Sequence, residues 1–413
     1  MIVKPRVATR RELVASSLAG LGLIHTAGAW AASPGGKLPL AHASAVAPSG
    51  RPVPMPDIPF PEDTAPVIDP GGPGLGQIAA SHGRVFGAAA QSQLLATDPG
   101  YASIFARECG LLTPDYETKW AVLQSAENHF NFAPLDSLLA WARAYSKPVR
   151  GTALVWHEGL PDWVAAAMAE SPARARALLN NQIGRVLAHT QGSIRDWDVV
   201  NEVVADPAGS DTPQSGPGEL RDSPFLRALG PDYIALSLQM AKEINPAIRV
   251  SLNEYGTEEA APHHIEKRRR LLNLVRRLRR ANVPLDQVGL QGHLQMVQPF
   301  SGPPFTAFCR LLRAEGVELV VTEMDIREHW KLPDGLAARD RAVADRVKAF
   351  VDAAIDGGIK TFITWGMQDK YSWLATNKYV KRTDGQEHRG LPLDDAGHRK
   401  LYWQAMADAL GRP

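Results

Sequence analysis

Cysteine is scarce in this chain. Two in 413 residues are too few for a disulfide framework, and no Cys/His spacing suits a structural zinc. Cys109 and Cys309 therefore read as buried thiols behaving as small apolar side chains. A charge excess is missing too. With 45 Lys+Arg against 44 Asp+Glu the formal charge is +1, which removes the bulk electrostatic case for nucleic acid or an anionic membrane. Nor does the N-terminal apolar run reach a membrane span. It ends near Ala32, holds Ser16, Ser17 and His25, and falls short of the roughly 20 apolar residues needed. What remains, 45% apolar and 22% charged residues, can bury a large core and excludes global disorder.

Proline is plentiful but unevenly spread. Eleven of the 32 lie between Pro34 and Pro73, in a stretch rich in Gly and Ala with no period of two or 3.6. Such a segment buries too little apolar surface to offset its ordering entropy. Ahead of it, Arg10-Arg11 precedes a weak apolar run with small residues at Ala27-Gly28-Ala29, the pattern of a twin-arginine export signal. The expected organisation is a signal over 1–31, a disordered linker over 32–80 and one catalytic unit over 81–413. Length alone, at ~150 residues per domain, suggests two or three domains. The expected location is the periplasm or the exterior.

From Val85 onward short apolar runs alternate with amphipathic stretches. The strand candidates are Val85–Ala89, Leu111–Pro114, Val149–Trp156, Ile194–Asn201, Arg249–Glu254, Val288–His293, Glu318–Met324 and Thr361–Trp365. Helical patterns such as Pro134–Tyr145, Ala173–Leu187 and Ala338–Ala354 separate them. Strands spaced by helices pair in parallel, and eight such units suit a (β/α)8 TIM barrel with enlarged loops. A doubly wound open sheet is the alternative, but no Gly-rich phosphate turn follows the first strand.

Polar and aromatic residues crowd the strand ends: Trp156-His157, Asn201-Glu202, Asn253-Glu254, Gln291 to His293, Glu323 to Asp325 and Trp365. In a barrel these ends converge on the face that carries active sites. Trp197 to Glu202 ends one apolar strand in a carboxyl group, and Leu319 to Asp325 does so again with Glu323, 121 residues after Glu202. Two glutamates on one barrel face form the constellation of a glycosidase. One protonates the leaving oxygen while the other attacks or activates water.

The chain resembles glycoside hydrolase family 10, the endo-1,4-β-xylanases, over about Phe86 to Tyr402. The resemblance rests on FGAA (86–89), NHFNFAPLD (128–136), RGTALVWHEGLPDW (150–163), WDVVNE (197–202), RDSPFLRALG (221–230), LQGHLQ (290–295), VTEMDI (321–326) and TWGMQDKYSW (364–373), in the family's order. It implies Glu202 as acid/base and Glu323 as nucleophile of a retaining enzyme, with carboxyl groups ~5–5.5 Å apart. Glu202 must then hold a proton near neutral pH, helped by an apolar setting and the charge of Glu323, which itself needs hydrogen-bond donors. The resemblance further implies that His293 donates to Glu323 and is oriented by Asp325. Asn201 would hold the sugar 2-hydroxyl and Gln291 would sit beside the acid/base. Lys119 would bind sugar hydroxyls in the −1 and −2 subsites, and Trp156, Trp365 and Trp373 would wall the sugar. Trp120, Trp141, Trp197 and Trp403 read as core.

The chain departs from the family pattern in sugar reading. Asp115 and Tyr116 replace a Glu-Asn pair that reads distal hydroxyls, Thr152 stands where His is usual, and Asn253-Glu254-Tyr255-Gly256 replaces Asn-Asp-Tyr-Asn. Each altered hydroxyl contact is worth ~1–3 kcal/mol, enough to change the preferred glycan without abolishing the chemistry. The Pro/Gly-rich insertion 205–218 directly follows the acid/base strand and is a candidate for shaping the leaving-group side. The basic stretch 267–280 reads as a solvated outer helix. Together these give a metal- and cofactor-free retaining β-1,4-glycanase, a monomer whose partner is xylan. The alternatives are another β-glycan or glycoconjugate as substrate, or a non-catalytic glycan-binding barrel.

Overall fold

The apolar runs pair side by side because each is buried on both faces, as strands of a closed parallel sheet must be. In the computed structural model, which describes residues 67–413 apart from 69–70, 212, 215, 330–334, 378–379 and 383, nine strands form. They are β1 (Val85–Ala90), β2 (Leu111–Pro114), β3 (Val149–Trp156), β4 (Ile194–Asn201), β5 (Arg249–Glu254), β6 (Gln287–Leu290), β7 (His293–Gln295), β8 (Glu318–Arg327) and β9 (Thr361–Thr364). β1 through β6 pair in sequence, β6 pairs β8, β8 pairs β9, and β9 returns to β1, every pair parallel. The ring is an eight-position barrel with helices between strands, as the alternation implies.

The sixth position differs from the single run Val288–His293. It is broken at Gln291-Gly292 into β6 and β7, and β7 pairs separately with β8. Gly292 takes φ 80°, a left-handed conformation that side chains disfavour. Its N–H donates to Glu258 Oε1 at 3.0 Å and that of Gln291 to the Glu254 carbonyl at 2.9 Å. The break costs no unpaired backbone.

The chain also becomes regular earlier than composition suggests. Leu75–Ser81 is a helix within the segment expected to be linker, and its Leu75 and Ala79 are fully buried. Glu108 explains the anchorage. Its buried carboxylate accepts the Leu75 N–H at 3.1 Å, the Trp403 indole at 2.9 Å and the Arg399 guanidinium at 2.9 Å, tying this helix to the C-terminal helix Leu401–Leu410. The boundary expected at residue 81 therefore moves back to about 74. The signal expected over 1–31 and the linker as far as residue 66 lie outside the described residues. Both cysteines are buried free thiols. Trp120, Trp197 and Trp403 are in the core, with Trp141 half-buried against it. Among the described residues no helix is long and apolar enough to cross a membrane.

Candidate active site

Parallel register aligns the site before any side chain is considered. Trp156 stands level with Asn201, Asn201 with Asn253, and Asn253 with Gly289, so four adjacent strands present these positions at one height. Gly289 is required there. A Cβ at that position would lie 2.1 Å from Asn253 Oδ1, so only hydrogen leaves room for the amide to turn inward.

Glu323, on β8, is almost buried and receives two donors. Asn253 Nδ2 lies 2.6 Å from Oε1, and His293 Nε2 lies 3.1 Å from Oε2. The other His293 nitrogen meets Asp325 Oδ1 at 2.9 Å, and Trp373 Nε1 donates to Asp325 Oδ2 at 2.5 Å. Burial opposes a charge on His293, but the carboxylates of Asp325 and Glu323 on either side override it and push the imidazole up to about 10. It is then an imidazolium donating through both nitrogens. Burial pushes Glu323 above the usual carboxylate range. The His293 hydrogen bond and charge oppose that shift, while Glu202 and Asp198 add to it.

Glu202 sits one residue past the end of β4 with φ 56°. A non-glycine residue in that region stores of order 1–3 kcal/mol and needs its neighbours to hold it. Its N–H donates to the Asn253 carbonyl at 2.9 Å, and its own carbonyl accepts Arg221 Nε at 2.8 Å. The carboxylate Oε1 lies 3.2 Å from Gln291 Nε2, which also reaches Asn201 Oδ1 at 3.3 Å. Asn201 Oδ1 further accepts Asn253 Nδ2 at 2.9 Å.

Behind Glu202 stands a buried ionic network that corrects one sequence reading and adds to another. Lys267 is fully buried, with Nζ 2.7 Å from Asp206 and 3.0 Å from Glu254, and Arg268 next to it is buried as well. The helix Pro262–Arg280 is thus cationic toward the interior at its start, not merely a solvated face. Asp206 belongs to the insertion 205–218 and also accepts from Arg221 at 3.2 Å and from Tyr255. The insertion is anchored, at this residue, to the support of Glu202.

The sugar-reading candidates divide into groups. Lys119 Nζ lies 5.4 Å from the Trp156 ring and 5.9 Å from that of Trp365, so these three share one wall. The Trp365 N–H is bonded to the carbonyl of Met324, next to Glu323. Trp373 packs edge-on against His293 with ring centres 5.6 Å apart. Asp115 is held by Gln91 Nε2 at 2.8 Å, and burial with the nearby Glu117 pushes the Tyr116 phenol up to about 12. Thr152 is buried, its carbonyl bonded to the Thr118 hydroxyl.

Comparison with known proteins agrees with this geometry. The sequence model of Glycosyl hydrolase family 10 matches residues 74–409. The chain belongs to that family. It is 30% identical over 342 residues to endo-1,4-beta-xylanase 1 of Humicola insolens, covering 81% of this chain and 74% of that one. Endo-1,4-beta-xylanase 5 of Pyricularia oryzae is 31% identical over 310 residues, with 74% and 72% covered. Among solved structures, native xylanase 10B from Thermotoga maritima superposes with a TM-score of 0.71 at 26% identity, covering 82% of this chain and 98% of that chain.

Within this family 10 barrel the structure brings Glu202, Glu323, Asn201, His293, Asp325, Gln291 and Trp373 into one hydrogen-bonded set. It adds residues to which sequence reasoning assigned no role. Asn253 contacts Glu323 directly, and Arg221 holds the Glu202 backbone. Asn253 was visible as one of the polar strand ends, but its partner lies 70 residues away.

Proposed function

We propose that this chain hydrolyses internal β-1,4 linkages of xylan by double displacement, with Glu323 as nucleophile and Glu202 as acid/base. The observation that carries the reading is the pair of carboxyl groups with unlike surroundings. Glu323 is gripped by an imidazolium and an amide N–H, which favour its anionic form, whereas Glu202 Oε1 meets the neutral amide of Gln291.

In the first step Glu323 attacks C1 as the C1–O bond to the leaving sugar breaks, and the Glu202 proton passes to that oxygen. In the second, Glu202 takes a proton from water, whose oxygen bonds to C1 as the Glu323 ester bond breaks. Asn253 and His293 orient the attacking carboxylate, and Asn201 takes the role of holding the sugar 2-hydroxyl. The Trp156, Trp365 and Lys119 wall supports sugar binding through apolar C–H faces and hydroxyl contacts.

A different β-glycan is the second reading, favoured by Asp115 being taken up by Gln91 where distal hydroxyls would be read. Reducing-end release from xylan, cello-, manno- and other β-glycans, with Glu323→Ala as control, tests both. Activity surviving the substitution rejects the mechanism. Activity on none of the panel favours a glycan-binding barrel.

Export belongs to the same reading, supported by Arg10-Arg11 before an apolar run. Replacing both arginines by lysine and fractionating cells tests the twin-arginine route, which unchanged export rejects.

A further inference from the structure

The loop after β3 brings a third carboxyl group to the site. Trp156 ends the strand, and the next two residues are His157 and Glu158. One carboxylate oxygen of Glu158, one of Glu202 and a ring nitrogen of His157 all lie within 4.8 Å of one another. The Glu158 side chain is 6% exposed and that of Glu202 is buried, so water screens the pair weakly. His157 Nε2 is 3.6 Å from Glu158 Oε1, beyond a good hydrogen bond.

We propose that Glu158 is a positioning residue that acts through Glu202, keeping the transferable proton on it. The inference rests on the reading of Glu202 as acid/base. Two carboxylates this close, and this little hydrated, repel each other, so a negative charge on Glu158 raises the cost of taking the proton off Glu202. The proton must reside on Glu202 for leaving-group protonation. An ionised Glu158 favours that state and also makes Glu202 the stronger base when it deprotonates water.

The other groups facing Glu202 divide in sign. Glu323 from β8 and Glu254 from β5 act on it as further negative charges, while Arg221 from the following loop is an opposing cation. Gln291 contributes a neutral donor. When the glycosyl ester forms, Glu323 loses its charge and its hold on the Glu202 proton. Glu158 does not react, so its influence spans both steps. A protonated His157 would cancel the Glu158 charge, so the device operates where His157 is neutral.

The test is the pH profile of kcat/KM on xylan for the wild type, Glu158→Gln and Glu158→Asp. Removing a nearby negative charge eases ionisation of Glu202, so in Glu158→Gln the alkaline limb moves down by about one pH unit. Glu158→Asp, which retains the charge, keeps most of the wild-type limb. With 2,4-dinitrophenyl β-xylobioside, whose leaving group needs no proton, formation of the glycosyl-enzyme is unchanged by Glu158→Gln.

An unmoved alkaline limb in a Glu158→Gln enzyme, with Glu202→Ala inactive on xylan, overturns this inference and leaves the acid/base reading intact. A Glu202→Ala enzyme that still cleaves xylan overturns both. Carbon-13 titration of the glutamate carboxyls in the wild type needs no variant. Coupled titration of Glu202 with a second carboxyl that keeps its partner in Glu323→Ala supports the inference, and independent titration overturns it.

Discussion

Asn253 Nδ2 lies 2.6 Å from Glu323 Oε1 and 2.9 Å from Asn201 Oδ1, so one amide joins the strand ends that carry the two glutamates. Its orientation is fixed from behind, since the Thr322 hydroxyl donates to Asn253 Oδ1 at 2.7 Å and leaves Nδ2 facing the carboxylate. A hydrogen bond to a charged acceptor is worth about 1.5–3 kcal/mol, so Asn253→Ala should lower kcat/KM on xylan about 10- to 100-fold. Asn253→Asp should do worse, because it sets a like charge against Glu323. Steady-state kinetics on a folded variant checks both, and near-wild-type activity in Asn253→Ala would remove the amide from the mechanism.

The same amide predicts the effect of a residue that meets no substrate. Gly289→Ala places a methyl group where Asn253 Oδ1 now lies, 2.1 Å from it, and the backbone of β6 is fixed by pairing on both sides. The amide must move. The expected loss in kcat/KM is comparable to that of Asn253→Ala, and the double variant Gly289→Ala/Asn253→Ala should lose little more than either. Additive losses would mean that the two positions act separately.

His293 links the site to stability. Its folded-state value of about 10 exceeds the unfolded value near 6.5, so between them the native state holds a proton that the unfolded chain lacks. Stability from this group is complete below about pH 6.5 and is lost as pH rises toward 10, at a rate of at most about 1.4 kcal/mol per pH unit. The wild type should therefore lose Tm from pH 7 to 9.5 more steeply than His293→Gln. Parallel Tm curves for the two proteins would mean that His293 is not an imidazolium in the folded state.

Much of this was legible in the chain, and the reasons differ by feature. The strands could be read because parallel barrel strands are continuous apolar runs between helical periods, and polar strand ends mark the open face of the barrel. Glu202 and Glu323 stood out together, because two carboxyls ending apolar runs beside amides and tryptophans converge on one face of a barrel. The seven-residue helix Leu75–Ser81 escaped because it is too short to show a period, and Pro73 and Gly74 before it read as linker. Glu158 escaped because proximity to Glu202 depends on the curl of the loop after β3. The burial of Lys267 escaped for a stronger reason. On a helix with five arginines in its last eleven residues a lysine reads as solvated, and its partners Asp206 and Glu254 come from two other segments.

Those partners give the last prediction. Lys267 neutralises two carboxylates that are themselves buried, and with Arg221 it holds Asp206 well below its ordinary carboxylate range despite burial. Lys267→Met keeps the length of the side chain but leaves Asp206 and Glu254 with Arg221 as their main cation. Breaking a buried ion pair from one side typically costs 3–5 kcal/mol, so urea unfolding should show a loss of about that size. Asp206→Asn in the same background removes the stranded charge and should recover part of it. Because Arg221 also bonds the Glu202 carbonyl, relaxation of the network should lower kcat on xylan while KM changes less. A Lys267→Met enzyme as stable as the wild type would mean that the lysine and its carboxylates reach water, and the insertion would then not be anchored through Asp206.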